Sequence, residues 1–260
     1  MTVFGMRLIN AVKSYFSSFA AAVMFYTRLP VPSRWCLNFD RVARFAVYVG
    51  LLIGFILVMV DASLLYLGVP ALTRSVVLVL AWVGLTGGLH LDGVMDTADG
   101  LAVPDPQRRL DVMADSRVGA FGAIAGAAIL LLKSAALSDI GQYRTMALIL
   151  VPGWGRWGQQ LAIARYPYLR AQGKGAMHKQ SLPRALSTFP SLAMLLACQL
   201  LLGRGNWALS LGAAAVWGAI AWATGAWFAQ RLGGQTGDTY GAVVEWTEAI
   251  SLVTFAAIAK

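Results

Sequence analysis

Seven apolar stretches, at about 45–66, 74–90, 118–137, 145–163, 188–203, 207–229 and 244–260, run through this 260-residue sequence. Roughly 20 apolar residues cross the hydrocarbon core of a bilayer as a helix. Lipid offers backbone amides no partners, so the helix is the form that satisfies them internally. The pattern predicts an all-α fold, a polytopic transmembrane helical bundle of about seven spans. The range is six to eight, because several stretches are short or carry a polar residue. Only 13% of residues are charged and 58% are hydrophobic, against about 25% charged in soluble domains. No segment reads as a separate soluble unit, so residues 1–260 are expected to form a single integral membrane domain.

Residues 1–27 carry Arg7 and Lys13 and then an apolar run from Phe16 to Tyr26, loosely like a signal peptide. No small-residue cleavage site follows; Thr27-Arg28-Leu29-Pro30-Val31-Pro32 does. The expectation is an N-terminal interfacial or re-entrant helix.

A net charge of +9 would suggest nucleic acid in a soluble protein. Here its distribution along the chain is more informative. Segments 28–44, 91–117, 164–187 and 230–243 hold 13 Lys and Arg residues, whereas the alternate turns hold three, Arg74, Arg144 and Arg204. That bias predicts that the first set is cytoplasmic, with no nucleic-acid partner. Cys36 and Cys198 stand alone, in no metal or redox spacing. Gly50/Gly54, Gly84/Gly88 and Gly122/Gly126 form G-x-x-x-G steps that predict close helix packing.

The densest chemistry lies between His90 and Asp115. In His90-Leu91-Asp92-Gly93-Val94-Met95-Asp96-Thr97-Ala98-Asp99-Gly100, helical offsets of four and seven residues put Asp92, Asp96 and Asp99 on one face. Pro104 and Pro106 then break the chain, and a second helical run places Asp111 and Asp115 one turn apart. Five carboxylates this close need a cation among them, and aspartates beside a span must line an aqueous cavity. Oxygen ligands suit a hard cation, Mg²⁺ where a phosphate substrate supplies further ligands. Arg108, Arg109 and Arg117 stand alongside, able to grip phosphate oxygens. Acid for metal and base for phosphate is the composition of a phosphoryl-transfer site. His90 is a catalytic candidate, though a lone His serves equally well as a structural hydrogen-bonder.

A glycine-rich segment, Arg231-Leu232-Gly233-Gly234-Gln235-Thr236-Gly237-Asp238, precedes the last span. It could offer backbone N–H groups to a phosphate, with Asp238 and Glu245 as polar neighbours; a plain turn explains the glycines equally well. Arg156 lies inside a span, a functional candidate weighed against snorkelling.

These blocks carry a family resemblance. Phe25-Tyr26-Thr27-Arg28-Leu29-Pro30-Val31-Pro32, Gly87-Gly88-Leu89-His90-Leu91-Asp92-Gly93 through Asp99-Gly100, and Arg109 through Asp111-Val112-Met113-Ala114-Asp115-Ser116-Arg117-Val118-Gly119 come first. Tyr166-Pro167-Tyr168 with Arg170, and Gly233-Gly234 with Thr236-Gly237-Asp238, follow. Together, along nearly the whole chain, they resemble the cobalamin synthase (adenosylcobinamide-GDP ribazoletransferase) family. The resemblance implies a bacterial cytoplasmic (inner) membrane enzyme, multi-pass, with its acidic site on the cytoplasmic face. Its substrates would be adenosylcobinamide-GDP and α-ribazole or the 5′-phosphate, its cofactor Mg²⁺ and its surroundings membrane lipid. A homo-oligomer is compatible with the sequence but not specified by it. Asp92, Asp96, Asp99 and Asp111 are then expected as metal ligands and Asp115 as general base. Arg28, Arg109, Arg117, Arg156, Thr236 and Asp238 are expected to contact substrate and phosphate.

Two other classes fit the sequence less well. Asp96-x-x-Asp99-Gly100 followed by Asp111-x-x-x-Asp115 partly matches the CDP-alcohol phosphotransferase motif, but that family's Ala-Arg pair is missing between the acidic halves. A cation transporter would place carboxylates at mid-span in two related halves, and no internal repeat is visible.

Overall fold

The computed structural model describes residues 3–32, 34–35, 37–170 and 174–259. Cys36 lies outside them; Cys198 is a free thiol. Helix α1 spans Val3–Tyr26, α2 Ala46–Tyr66, α3 Ala71–Thr86 and α4 Leu89–Ala102. The short α5, Arg109–Val112, precedes α6, Ala120–Asp139, and α7, Arg144–Arg165. Helix α8, Lys174–Ser181, lies in the following connection, and α9 (Phe189–Leu202), α10 (Trp207–Leu232) and α11 (Gly237–Ile258) complete the chain. Among the described residues there is no strand, only a parallel bridge between Tyr168 and Gln235.

Five helical segments are long and apolar enough to cross a membrane: Val42–Tyr66, Ala120–Asp139, Ala185–Leu202, Trp207–Leu232 and Gly237–Ile258. A sixth exists if α3 and α4, bent by 92° at their junction, count as one broken span. The polytopic helical bundle is as expected; the count of seven needs explaining. The expected span at 145–163 is α7, long enough at 22 residues but too polar to qualify. Its position explains this. Of those 22 residues, 17 are buried, so α7 meets protein on nearly every side and lipid selects little of its composition. It carries Arg156, Gln159 and Gln160 inward, and Pro152 within its length. Helix α1, expected to be interfacial or re-entrant, is not among the apolar spanning helices.

The glycine steps divide by what they touch. A Cβ on Gly50 would lie 2.5 Å from the Pro152 carbonyl oxygen, and one on Gly54 2.5 Å from that of Leu148. Helices α2 and α7 therefore meet backbone to backbone, as the spacing predicts. Gly122 and Gly126 seat α6 against Met95 and Asp99 of α4. Gly84 and Gly88 do not pack: neither has a neighbour within 4 Å of an added Cβ. Gly88 instead follows Gly87 in left-handed conformation (φ 74° and 63°), a pair of turns that sets α4 across the end of α3.

Two of the three basic residues counted outside the segments expected to be cytoplasmic are not loop residues. Arg74 lies 2.7 Å and Arg144 3.1 Å from the Asp61 carboxylate, and Arg144 also donates to Ser75 Oγ at 3.0 Å. Both arginines are buried. This cluster pins α2, α3 and the start of α7 together, leaving Arg204 as the single member of that set at a turn.

Gly54→Leu should destabilise the bundle by about 1–3 kcal/mol or more through overpacking against backbone, read as a lower melting temperature in detergent. Gly84→Ala, with open space around it, should leave the melting temperature unchanged.

Candidate active site

The end of the bundle opposite the Asp61 cluster is assembled by backbone ties between connections distant in sequence. Leu169 N–H donates to the Gln235 carbonyl and Gln235 N–H to the Pro167 carbonyl, both at 2.9 Å. Arg109 donates from Nε to the Val103 carbonyl and from Nη1 to that of Arg231, each at 3.1 Å. Arg44 reaches the Ser181 carbonyl at 2.7 Å. Four connections thus close around the N-termini of α4 and α11. These helices cross where both are glycine: Gly93 lies on the Asp238 carbonyl, and a Cβ on Gly241 would lie 3.0 Å from the His90 carbonyl.

That crossing brings Asp238 to the acidic face of α4, where Asp96 lies within electrostatic reach of Asp92, Asp238 and Asp99. Arg170 pairs with Asp238 at 3.0 Å. Asp92 is exposed, and Asp96 and Asp238 are half-buried. Asp99 has another partner. Its carboxylate accepts the Gly119 N–H at 2.7 Å and the Gly122 N–H at 2.8 Å, satisfying orphan amides at the N-terminus of α6. Asp111 is exposed on α5. Asp115 is bound by Arg117, 2.6 Å away on the exposed loop, which holds its carboxyl below the usual carboxylate range.

The remaining expected residues also separate. Arg28 is exposed beside Gly87 and, with Asp92, lines an open groove of about 630 Å³. Arg109 is occupied by backbone carbonyls. Thr236 caps α11, its Oγ1 accepting the Thr239 N–H while Thr239 Oγ1 accepts its own N–H, a reciprocal capping box. Gly233 is the left-handed C-cap of α10 and Gly234 packs on Pro167 and Leu169, so the glycine-rich segment folds as a turn. Arg156 is wholly buried, 2.5 Å from Glu248, 2.9 Å from the Pro152 carbonyl and 3.4 Å from His90 Nδ1. A guanidinium only donates, so His90 Nδ1 accepts and its proton sits on Nε2; the residue lines a second, more enclosed cavity.

Sequence reasoning named Arg156 and, as a phosphate neighbour, Glu245, but missed Lys133, Glu248 and the pairing that buries all four. Lys133 Nζ of α6 lies 2.5 Å from both Glu245 Oε2 and Glu248 Oε2 of α11, and 4.3 Å over the Trp82 ring. With Arg156 this makes two cations and two carboxylates, a neutral buried set joining α6, α7 and α11. A lone Lys in the apolar run 120–139 and two Glu three residues apart in the last span were the available signals. Arg170, His178, Tyr26 and Gln159 were also passed over as site residues; they come together only in three dimensions.

Among the described residues, no three Asp, Glu, His or Cys side chains converge as a metal cage. The donor set still suits Mg²⁺, which takes one or two carboxylates and completes its shell with water and substrate phosphate. Asp92 and Asp96, the carboxylates of the cluster with no tie to an amide or an arginine among these contacts, meet that need.

Carboxylates and arginines thus gather around two adjoining cavities at one end of a helical bundle with several apolar spanning helices. A family model described as cobalamin-5-phosphate synthase matches residues 18–256. An adenosylcobinamide-GDP ribazoletransferase of Trichormus variabilis is 52% identical over 244 residues, covering 93% of this chain and 97% of the relative. Proteins of the same description from Synechocystis sp. and Roseiflexus sp. are 52% and 38% identical, over 91% and 92% of this chain and 93% and 89% of theirs. No solved structure matches. The chain belongs to the cobalamin-5-phosphate synthase family.

Removing one partner of a buried ion pair costs about 3–5 kcal/mol. Lys133→Met should therefore lower thermal stability severely, and adding Glu245→Gln, which restores neutrality around Arg156 and Glu248, should recover part of it. A double variant no more stable than the single would refute the charge-balance reading.

Burial pushes the His178 imidazole down from 6.5 to about 4. The unfolded chain binds this proton first, so stability is complete above pH 6.5 and declines toward pH 4, by about 3 kcal/mol. Melting temperatures across that window should fall, and His178→Gln should flatten the slope.

Proposed function

We propose that this protein transfers the adenosylcobinamide phosphate group of adenosylcobinamide-GDP to the ribose 3′-hydroxyl of α-ribazole or its 5′-phosphate, the last assembly step of the nucleotide loop. The observation that carries the reading is near full-length identity of about 50% to relatives described by that activity. The geometry supports it, since Asp92 lines both cavities and Asp238 the more enclosed one, with Asp96 within electrostatic reach of both. The hydroxyl oxygen forms a new bond to the cobinamide-side phosphorus. The bond from that phosphorus to the bridging oxygen breaks, and its electron pair leaves on GMP. The hydroxyl proton passes to a carboxylate.

Asp92 and Asp96 would hold Mg²⁺ together with the pyrophosphate; the ion, when bound, neutralises charge on the phosphates and on the departing GMP. Arg28 in the open groove pairs with phosphate oxygens. Asp99 acts by fixing α6 against α4, so Asp96 keeps its orientation. Because Asp115 is held by Arg117 and Asp238 by Arg170, proton acceptance falls to Asp92 or Asp96, whichever the ion leaves free. Arg156 and His90 support α4 from below. The 13 to 3 bias in basic residues supports a cytoplasmic orientation of this end in a bacterial inner membrane.

Purified protein should release GMP from adenosylcobinamide-GDP only with both α-ribazole and Mg²⁺ present. Release independent of α-ribazole would indicate a hydrolase. Asp96→Asn should lower kcat by at least about 100-fold, the scale of losing one electrostatic stabiliser of the transition state, while the protein still accumulates folded in membranes.

A further inference from the structure

Between α1, α4, α7, α8 and α11 lies the enclosed cavity of about 240 Å³ that His90 lines. Its wall includes Tyr26, His90, Gln159, His178 and Tyr240, all at most 4% exposed. Each has a buried polar atom with no hydrogen-bond partner among the described residues: Tyr26 Oη, His90 Nε2, Gln159 Oε1, His178 Nε2 and Tyr240 Oη. Buried polar groups are rarely left without partners, and five on the residues of one cavity wall call for a ligand or ordered water to supply them. The same wall is aromatic. The Tyr26 ring lies 6.0 Å from His90 and 5.9 Å from His178, and Tyr168 stacks near Tyr240 at 6.0 Å. Among its described lining residues the one cation, Arg170, already faces Asp238. Such a lining fits a neutral, flat, hydrogen-bonding heterocycle rather than a phosphate.

We propose that this chamber binds the acceptor nucleoside, holding the heteroaromatic base of α-ribazole among these five side chains with its ribose toward Asp92 and Asp238. The assignment rests on the transfer reaction proposed above and says which substrate sits where. Asp92 lines both the chamber and the open groove that holds Arg28, so it stands at the partition between them. Displacement at phosphorus runs in line, nucleophile and leaving group on opposite sides. Attack from the chamber would expel GMP into the groove. Size points the same way: the chamber falls below the roughly 300–1,000 Å³ of drug-sized ligand pockets. A fused-ring base enters it, but a corrin ring does not. The donor's diphosphate finds its arginine on the groove side.

Steady-state GMP release by the full chain in liposomes, with each substrate varied in turn, tests this. Tyr26→Phe and Tyr240→Phe each remove one oxygen and keep the ring, and Gln159→Leu removes the amide. Each should raise KM for α-ribazole about threefold to tenfold, the worth of one hydrogen bond, with KM for adenosylcobinamide-GDP changing less than about twofold. A rise confined to the donor's KM would place guanine in the chamber and overturn the proposal. Unchanged KM values for both substrates would overturn it too. If Gln159→Leu fails to accumulate, the two phenylalanine variants decide. Failure of the wild-type protein to release GMP with both substrates would instead refute the functional reading.

Discussion

The active end of this bundle rests on a neutral set of four buried charges. Lys133, Glu245, Glu248 and Arg156 come from three helices and satisfy one another at 2.5 Å contacts deep in the bundle. Removing any one leaves an uncompensated charge in a low-dielectric interior, so the set favours a single register of α6, α7 and α11. Arg156 carries that register upward, because its guanidinium reaches His90 and so ties the set to the first turn of α4. Apolar packing alone would let helices slide by a residue or rotate slightly at small cost. Charge pairing of this kind does not.

Backbone contacts then convert register into position. With α7 held by the charges, Gly50 and Gly54 bring α2 against it, and Gly93 and Gly241 bring α4 onto α11. Any side chain at Gly93 would collide with the Asp238 carbonyl, so the approach of the two acidic segments depends on an absent Cβ. The turn at Gly87 and Gly88 serves the same end. It directs α4 across the bundle at 92° to α3, which keeps the aspartates at one end instead of carrying them down through hydrocarbon.

Much of this was legible in the sequence, and the omissions have physical causes. Apolar length predicts α2, α6, α9, α10 and α11, since lipid-facing helices must be apolar. It fails as a measure for α7, whose environment is protein and whose composition reports pairing with neighbouring helices. Helical register correctly put Asp92, Asp96 and Asp99 on one helix. It could not show that α6 would present free amides to Asp99, because that partnership depends on tertiary packing. Spacing suggested a packing step at Gly84 and Gly88, where one glycine faces open space and the other makes a turn. Thr236 and Arg109 looked like phosphate contacts and serve as a helix cap and a backbone staple. Polar residues near a site are spent on local hydrogen bonds unless the fold withholds partners, and sequence does not reveal which partners are withheld.

That distinction also resolves the repulsion among the acidic residues. Asp92, Asp96, Asp99, Asp111 and Asp115, with Asp238 added by the fold, would destabilise any compact arrangement if all stayed free. The structure distributes them. Asp99 is neutralised by helix amides, Asp115 by Arg117 and Asp238 by Arg170, while Asp111 faces solvent. Asp92 and Asp96 are left, one turn apart, with Asp92 lining both cavities. Two carboxylates with substrate phosphates are what a magnesium ion requires, and a larger free cluster would be harder to hold together in the absence of the ion. The surplus acidity visible in the sequence is thus mostly architectural, and it isolates the pair that chemistry would use.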